Sequence, residues 1–177
     1  MTSDLRAARA GATFRGGRFQ FEPHHCFACG ELNEHGLHLV LHADETGCRT
    51  QLILEARFQG WEGVAHGGIL ATILDEVMAW SVIGRGTWGV TARMTIDFKR
   101  PANVGTAILA EGEVLHESRR LIRTSGRLLD ARSGEVLATA EGTYVAAPPD
   151  RLAELQARYR LRPAADRLAD VPEPVDT

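Results

Sequence analysis

A short segment, residues 66–75, contains two unusual features on one predicted helix. His66 is followed by Gly67 and Gly68, and this glycine pair opens a strongly apolar run. Glycine is about 1 kcal/mol less favourable than alanine within a helix, but its bare N–H groups at a helix N-terminus can bind an anion. Asp75 adds a carboxylate among apolar neighbours. An amide cradle and a general base or nucleophile are what acyl-group hydrolysis needs. The alternative is that the glycines permit close packing and Asp75 is solvated; we favour the chemical interpretation because both features fall on one helix.

The pattern around this segment predicts a helix enclosed by a sheet. Apolar side chains in residues 67–83 cover most of the helix circumference, so this helix requires burial on nearly every side. Six stretches have the composition or alternation of strands: 37–42, 48–57, 89–100, 106–118, 121–130 and 136–146. One way to enclose the helix is a long antiparallel sheet curled around it. We therefore predict an α+β fold with about six strands and one central helix.

Length and composition predict one domain with additional segments at both ends. The 177 residues, 44% of them hydrophobic, suffice for one substantial core. We expect a flexible tail over 1–22, the domain over 23–147, and an extension over 148–177 with a short helix and then a mobile tail. A net charge of −3 argues against a nucleic-acid partner, and no apolar run reaches the length of a membrane span. Three cysteines favour a reducing compartment, the cytoplasm by default.

Three segments carry motifs that point to a known family. They are residues 26–37, which begin CFACG and end NEHGL; residues 58–76, which begin FQGWEGVAHGG and end LDE; and residues 91–101, TARMTIDFKRP. Together they resemble hotdog-fold acyl-CoA thioesterases of the PaaI-like branch, within the 4-hydroxybenzoyl-CoA thioesterase superfamily. The resemblance extends over about residues 24–147, and the second segment is the most specific part of it.

The resemblance implies a hydrolase that releases a carboxylic acid and free CoA without a metal or bound cofactor. The backbone N–H of Gly67, assisted by Gly68, would form the oxyanion hole. Asp75 would act as general base or nucleophile. Thr91 matches the position of a hydroxyl that helps to place the attacking water, and His66 falls on a motif histidine that orients the site.

One position departs from the family pattern. Several PaaI-type enzymes carry an asparagine where this chain has Gly60, and that asparagine supplies a second contact to the substrate carbonyl. The second donor is therefore His66, a water molecule or absent. The departure keeps open a second hypothesis, a non-catalytic protein that binds acyl-CoA or an aromatic ligand. A third, a hotdog dehydratase or hydratase, is disfavoured because the Asp and His pairing of those enzymes is not found.

The spacing of the two chemical groups bears on the assembly. Gly67 and Asp75 are eight residues apart, which is about 12 Å along a helix axis. One carbonyl cannot lie within about 3 Å of both. If both groups act, they come from different subunits, so the sequence predicts active sites at a symmetric subunit interface. The resemblance likewise implies a homodimer, or a homotetramer made of two hotdog dimers.

The remaining candidate residues are basic side chains and a cysteine pair. Lys99, Arg100 and Arg120 are candidate contacts for the phosphates of CoA, because they lie near strand ends and arginine binds phosphate in a bidentate manner. Most such residues only solvate a strand face, so we expect one or two to contact the ligand. Cys26 and Cys29 follow two histidines but make only half of a zinc motif. We expect them to serve a tight loop and expect no metal.

Overall fold

The computed structural model describes residues 17–21, 23–159 and 161–163 of the chain. Within these residues the elements are β1 (Gly17–Phe21), β2 (His42–Asp44), β3 (Gly47–Ile53), a 3-10 turn (Ala56–Phe58), α1 (Gly67–Ile83), β4 (Gly89–Phe98), β5 (Ala107–Glu117), β6 (Leu121–Asp130), β7 (Val136–Ala146), α2 (Pro149–Arg158) and β8 (Leu161–Pro163). The α+β prediction is confirmed.

The strands form one antiparallel sheet in the order β4-β7-β6-β5-β3-β2-β1-β8. Strands β2 to β7 are the six-stranded curved sheet that the sequence predicts, and α1 packs against every one of them. Strand β4 is an edge strand, because its pairing within the described part of the chain is with β7 alone. The helix thus lies in the concave side of the sheet, while one long edge remains open.

Helix α1 is buried on most of its surface, as its composition requires. Its buried side chains are Leu70, Ile73, Leu74, Val77, Met78, Trp80, Ser81 and Val82. Because two glycines at its start disfavour a helix, α1 is stabilised mainly by the burial of its apolar side chains and not by local helix propensity. The position of α1 is therefore set by the sheet that surrounds it.

The strand predicted over 37–42 is wrong except at its last residue. Leu37 N–H donates to the Phe27 carbonyl at 2.8 Å and Leu39 N–H to the Ala28 carbonyl at 2.9 Å. This segment therefore pairs with the loop that carries Cys26 and Cys29, called here the cysteine loop. A two-residue turn joins β2 to β3, and the Asp44 carboxylate closes it by accepting from Thr46 N–H at 2.7 Å. The strand predicted over 48–57 is shorter than expected, because β3 ends at Ile53.

Several described elements lie in the segments expected at the two ends. Strand β1 lies within 1–22, and α2 and β8 lie within 148–177. Residues 1–16 and 164–177, to which most of the predicted tails belong, are outside the described residues. In the described part of the chain, no helix combines the length and the apolar character needed to cross a bilayer.

Candidate active site

The carboxylate of Asp75 is held by two hydroxyl groups on neighbouring strands. Thr91 Oγ1, on β4, donates to Asp75 Oδ1 at 2.8 Å. The Tyr144 hydroxyl, on β7, lies 2.8 Å from the same oxygen and 2.9 Å from the Asp75 carbonyl oxygen, and donates to them. None of these hydrogen bonds involves Asp75 Oδ2. The carboxylate is thus fixed through one oxygen, and the other can accept a proton or meet a substrate.

Tyr144 is a site residue that sequence reasoning missed. Its side chain is fully buried, and burial together with the adjacent Asp75 charge raises the pKa of its hydroxyl well above the ordinary value. It therefore remains a proton donor to Asp75. The alternation of β7 identifies Tyr144 as inward-facing, but only the register that pairs it with Thr91 brings both hydroxyls to Asp75.

The N-terminus of α1 presents one amide rather than two. His66 is the N-cap, and its Nδ1 accepts from Gly68 N–H at 2.9 Å. Gly67 N–H is the first of the helix and has no intrahelical acceptor, since the first amides of a helix never do. A side chain added at Gly67 would begin 3.4 Å from Cζ of Phe98. The arrangement favours Gly67 as an oxyanion donor and assigns Gly68 N–H to the cap.

The loop before His66 brings Gly60 against the cap. His66 N–H donates to the Phe58 carbonyl at 2.9 Å and Gly60 N–H to the Val64 carbonyl at 2.8 Å, so the loop turns back on itself. A Cβ added at Gly60 would lie 3.2 Å from Cδ2 of His66. Gly60 is therefore adjacent to the predicted oxyanion site, although it offers no side chain there.

The two ends of β4 lie beside the two chemical groups. Phe98, its last residue, approaches Gly67, whereas Thr91, near its start, contacts Asp75. Within one chain, the amide and the carboxylate remain about 12 Å apart along α1. A single protomer therefore does not bring together the Gly67 amide and the Asp75 carboxylate that the sequence analysis singled out.

Residues 62–137, which contain α1, β4, β5 and β6, match the family model described as the Thioesterase superfamily. The match covers less than half of the chain, and it shows that this part of the chain is similar to that superfamily. The match ends before Tyr144, so the second hydroxyl on Asp75 lies outside it.

Two curated relatives each align with about half of the chain. Human acyl-coenzyme A thioesterase 13 is 34% identical over 83 residues, which are 46% of this chain and 59% of that protein. Acyl-coenzyme A thioesterase PaaI of Escherichia coli (strain K12) is 26% identical over 81 residues, 46% of this chain and 58% of that protein. The chain thus spans less than two thirds of each relative.

Comparison with solved structures shows that the chain has the hotdog fold. Protein RHA08564, a thioesterase superfamily protein, matches with a TM-score of 0.65 at 27% identity, over 68% of this chain and 60% of that one. A hypothetical thioesterase of Streptococcus pneumoniae TIGR4, solved with coenzyme A, matches with a TM-score of 0.59 at 20% identity, over 62% and 85%. The predicted curved sheet around one helix is confirmed.

The candidate phosphate-binding residues lie at opposite ends of β4. Lys99 and Arg100 follow its last residue and pair with Asp97 at 3.3 Å and Glu135 at 2.7 Å. Arg120 lies between β5 and β6, at the other end: its carbonyl accepts from Ala146 N–H, and Ala146 pairs with the first residue of β4. That separation is about 30 Å along the strand, so one chain does not group them.

A second group of reactive side chains includes Glu76, the residue that follows Asp75 on α1. One ligand atom each of Cys26, Cys29 and Glu76 lies within 4.8 Å of the others. Burial raises the pKa of Glu76 to about 7, with the Cys26 charge adding to the effect. A hydrogen bond from Cys29 lowers the pKa of Cys26 to about 5. The cysteine spacing is visible in the sequence, but the approach of Glu76 is not.

Proposed function

We propose that this chain is an acyl-CoA thioesterase that hydrolyses a CoA thioester to a carboxylic acid and free CoA. The observation that carries the proposal is the Asp75 carboxylate, held through one oxygen by Thr91 and Tyr144, on the same helix whose first amide has no partner within the helix. The names of the human and E. coli relatives, and coenzyme A in the S. pneumoniae thioesterase structure, support the substrate class.

The residues divide the reaction between them. Asp75 Oδ2 either takes a proton from the attacking water or itself attacks the thioester carbonyl, and both routes place negative charge on the carbonyl oxygen. Gly67 N–H stabilises that oxyanion, which is worth about 2.7–4 kcal/mol for one donor. His66 keeps this amide in position by capping the first turn of α1. The oxyanion then collapses and expels the CoA thiolate, and in the route where Asp75 attacks, water hydrolyses the acyl–Asp75 anhydride to release the carboxylic acid.

The proposed active site combines two protomers. Strand β4 is open at the sheet edge, and its Val90 and Phe98 are 73% and 53% exposed. A second copy that pairs its β4 antiparallel across a two-fold axis would bring the Phe98 end of one strand to the start of the other. Gly67 of one protomer then faces Asp75 of its partner. Two such sites form in a homodimer, and a homotetramer is a dimer of these dimers.

The same pairing of two β4 strands would bring the candidate phosphate-binding residues of the two protomers close together. Lys99 and Arg100 of one protomer approach the end of the sheet at which the other protomer carries Arg120. Both Lys99 and Arg100 are about half exposed despite their acidic neighbours, so they can exchange those neighbours for phosphate groups of CoA.

We include in the proposal a cytoplasmic location, because three free cysteines suit a reducing compartment.

Two variants remove one chemical group each. Asp75→Asn removes the carboxylate charge but keeps its shape. Gly67→Pro removes the amide donor at the first helical position, where proline is well tolerated. His66 has φ −67° and ψ 133°, the extended conformation that a residue before proline prefers. We expect each variant to lower kcat for thiol release from CoA esters by about 10²-fold or more.

The shared site is tested by mixing the two inactive variants. After dissociation and reassociation, half of the dimers are mixed, and one of their two sites carries both an intact Asp75 and an intact Gly67. We therefore expect recovery of about one quarter of the wild-type rate. Each variant mixed with itself is the control. No recovery, although mixed dimers form, would refute the shared site.

The hydrolase proposal has its own test. Acetyl, medium-chain, long-chain and aromatic CoA esters are assayed for thiol release with the wild-type protein. Turnover that requires Asp75 supports the proposal, whereas turnover that survives Asp75→Asn contradicts it. Saturable thermal stabilisation by the same esters without any thiol release would replace it by a binding function.

A further inference from the structure

The cluster next to Asp75 joins a loop to the central helix. His24, Cys26 and Cys29 come from the loop before β2, and Glu76 comes from α1. The ligand atoms of Cys26, Cys29 and Glu76 lie within 4.8 Å of one another, and His24 Nε2 lies 3.8 Å from Cys29 Sγ. Two sulfurs, an imidazole and a carboxylate are all ligands that Zn²⁺ accepts in tetrahedral sites. The structure thus groups three candidate ligand atoms and places the His24 imidazole next to one of them, Cys29 Sγ.

The loop backbone is folded around the two sulfurs. Gly30 N–H donates to the Cys26 carbonyl and Leu32 N–H to the His24 carbonyl, each at 3.0 Å. A side chain at Gly30 would overlap the Cys26 nitrogen and the His24 carbonyl, so the turn requires glycine at this position. The cysteines are therefore held close by the backbone and not only by their side chains.

The distance between His24 and Cys29 is close to that between two ligands of a zinc site. With Zn–S of about 2.3 Å and Zn–N of about 2.0 Å, a tetrahedral site separates two sulfurs by about 3.8 Å and sulfur from nitrogen by about 3.5 Å. The separation of His24 Nε2 from Cys29 Sγ, 3.8 Å, is already close to this value. Glu76 also accepts from Trp80 Nε1 at 3.0 Å, the kind of outer bond that orients a metal-binding carboxylate.

We propose that His24, Cys26, Cys29 and Glu76 form a Zn²⁺ site that fastens the loop to helix α1 beside Asp75. The four side chains supply one atom each, so the coordination is closed and the metal is structural. Binding of the metal stabilises the folded state, because the unfolded chain does not hold these residues together. The inference does not depend on thioester hydrolysis, since metal binding is measured directly whether or not the protein turns over CoA esters.

The experiment is a metal titration of the full chain, kept reduced and stripped of metal. Co²⁺ is added first, because thiolate ligation gives a charge-transfer band in the near ultraviolet, and Zn²⁺ is then added to displace it. We expect one equivalent of Co²⁺ per chain, loss of the band on addition of one equivalent of Zn²⁺, and a Tm that rises with bound Zn²⁺. Zinc in the protein as purified, measured by mass spectrometry, gives an independent readout.

Matched variants test the individual ligands. Cys26→Ser, Cys29→Ser, Glu76→Gln and His24→Ala should each weaken metal binding by about tenfold or more. Cys48→Ala and His25→Ala are the controls, because Cys48 lies outside the three-residue group and His25 is an exposed neighbour of His24. Circular dichroism of each metal-free variant establishes that it is folded. Controls that bind metal like the wild type support the assignment.

Three results would overturn the proposal. One is a reduced wild-type protein without a charge-transfer band or bound zinc. Another is a set of ligand variants, folded by circular dichroism, that bind metal as tightly as the wild type. The third is a band that disappears in Cys48→Ala, which would move the sulfur ligand to a different cysteine.

Discussion

Gly112 lies on β5 directly beneath α1, where a side chain would meet the helix backbone. A Cβ at this position would begin 2.5 Å from the Val77 carbonyl oxygen and 2.6 Å from its carbon. Gly126, its partner across the β5–β6 pair, faces side chains instead: a Cβ there would lie 3.1 Å from Cγ of Met78 and 3.2 Å from a methyl of Leu74. The two glycines are therefore paired across neighbouring strands and differ in what an added Cβ would meet: helix backbone at Gly112 and side chains at Gly126.

The expected loss of stability follows from these distances. Ordinary contact begins at 3.4 Å, so Gly112→Ala must separate the helix from the sheet by about 0.9 Å, and a gap of that size forfeits about a quarter to a half of each affected contact. A helix carbonyl cannot rotate away, so we expect a loss of about 3 kcal/mol, the upper end for overpacking. Met78 and Leu74 can adjust their rotamers, so we expect about 1 kcal/mol for Gly126→Ala.

Urea unfolding followed by circular dichroism measures both free energies of unfolding, at one protein concentration so that any assembly contributes equally. The difference of about 2 kcal/mol corresponds to a Tm about 4–8 °C lower for Gly112→Ala than for Gly126→Ala. Both substitutions reduce the entropy of the unfolded chain alike, so that contribution cancels. If Gly126→Ala proved as harmful as Gly112→Ala, the argument that backbone contact sets the helix depth would be refuted.

Two further predictions concern the site and its assembly. Thr91→Val and Tyr144→Phe each remove a hydrogen bond to the Asp75 carboxylate worth about 1.5–3 kcal/mol, so each should lower kcat about 10–100-fold with little change in KM. Thr91→Ser keeps the hydroxyl and should retain most activity, and an equal loss in that variant would contradict the role of the hydrogen bond. Val90→Arg places a charge on the exposed face of β4 and should dissociate the dimer and abolish turnover. Light scattering measures the mass, and an active monomer would argue against the shared site.

Local sequence signals were sufficient for the central helix. The glycine pair at its start and the apolar side chains around its circumference predict a helix from about Gly67 to Ile83, and the structure has α1 over that range. The eight-residue spacing between Gly67 and Asp75 also requires only helix geometry. These features depend on neighbouring residues in the chain, so no tertiary information is needed to find them.

Pairing between distant segments could not be predicted in the same way. The stretch 37–42 has the composition of a strand, yet its amides bond to carbonyls of the cysteine loop. The alternating residues of β4 suggest one buried face, but the pairing register shifts between Thr91 and Arg93, and Val90 and Phe98 are exposed. Composition reports what a segment prefers, whereas the available partner decides what it forms.

By itself, the sequence determined the chemical groups and the helix that carries them: an unobstructed amide at Gly67, a carboxylate at Asp75 and two cysteines in a glycine-containing turn. Only the tertiary structure decided which side chains meet these groups. The register of β4 and β7 brings Thr91 and Tyr144 to Asp75, and the packing of the loop on α1 brings Glu76 to the cysteines. The physical reason is that periodicity encodes the direction of a side chain, while its contacts depend on residues far away in the chain.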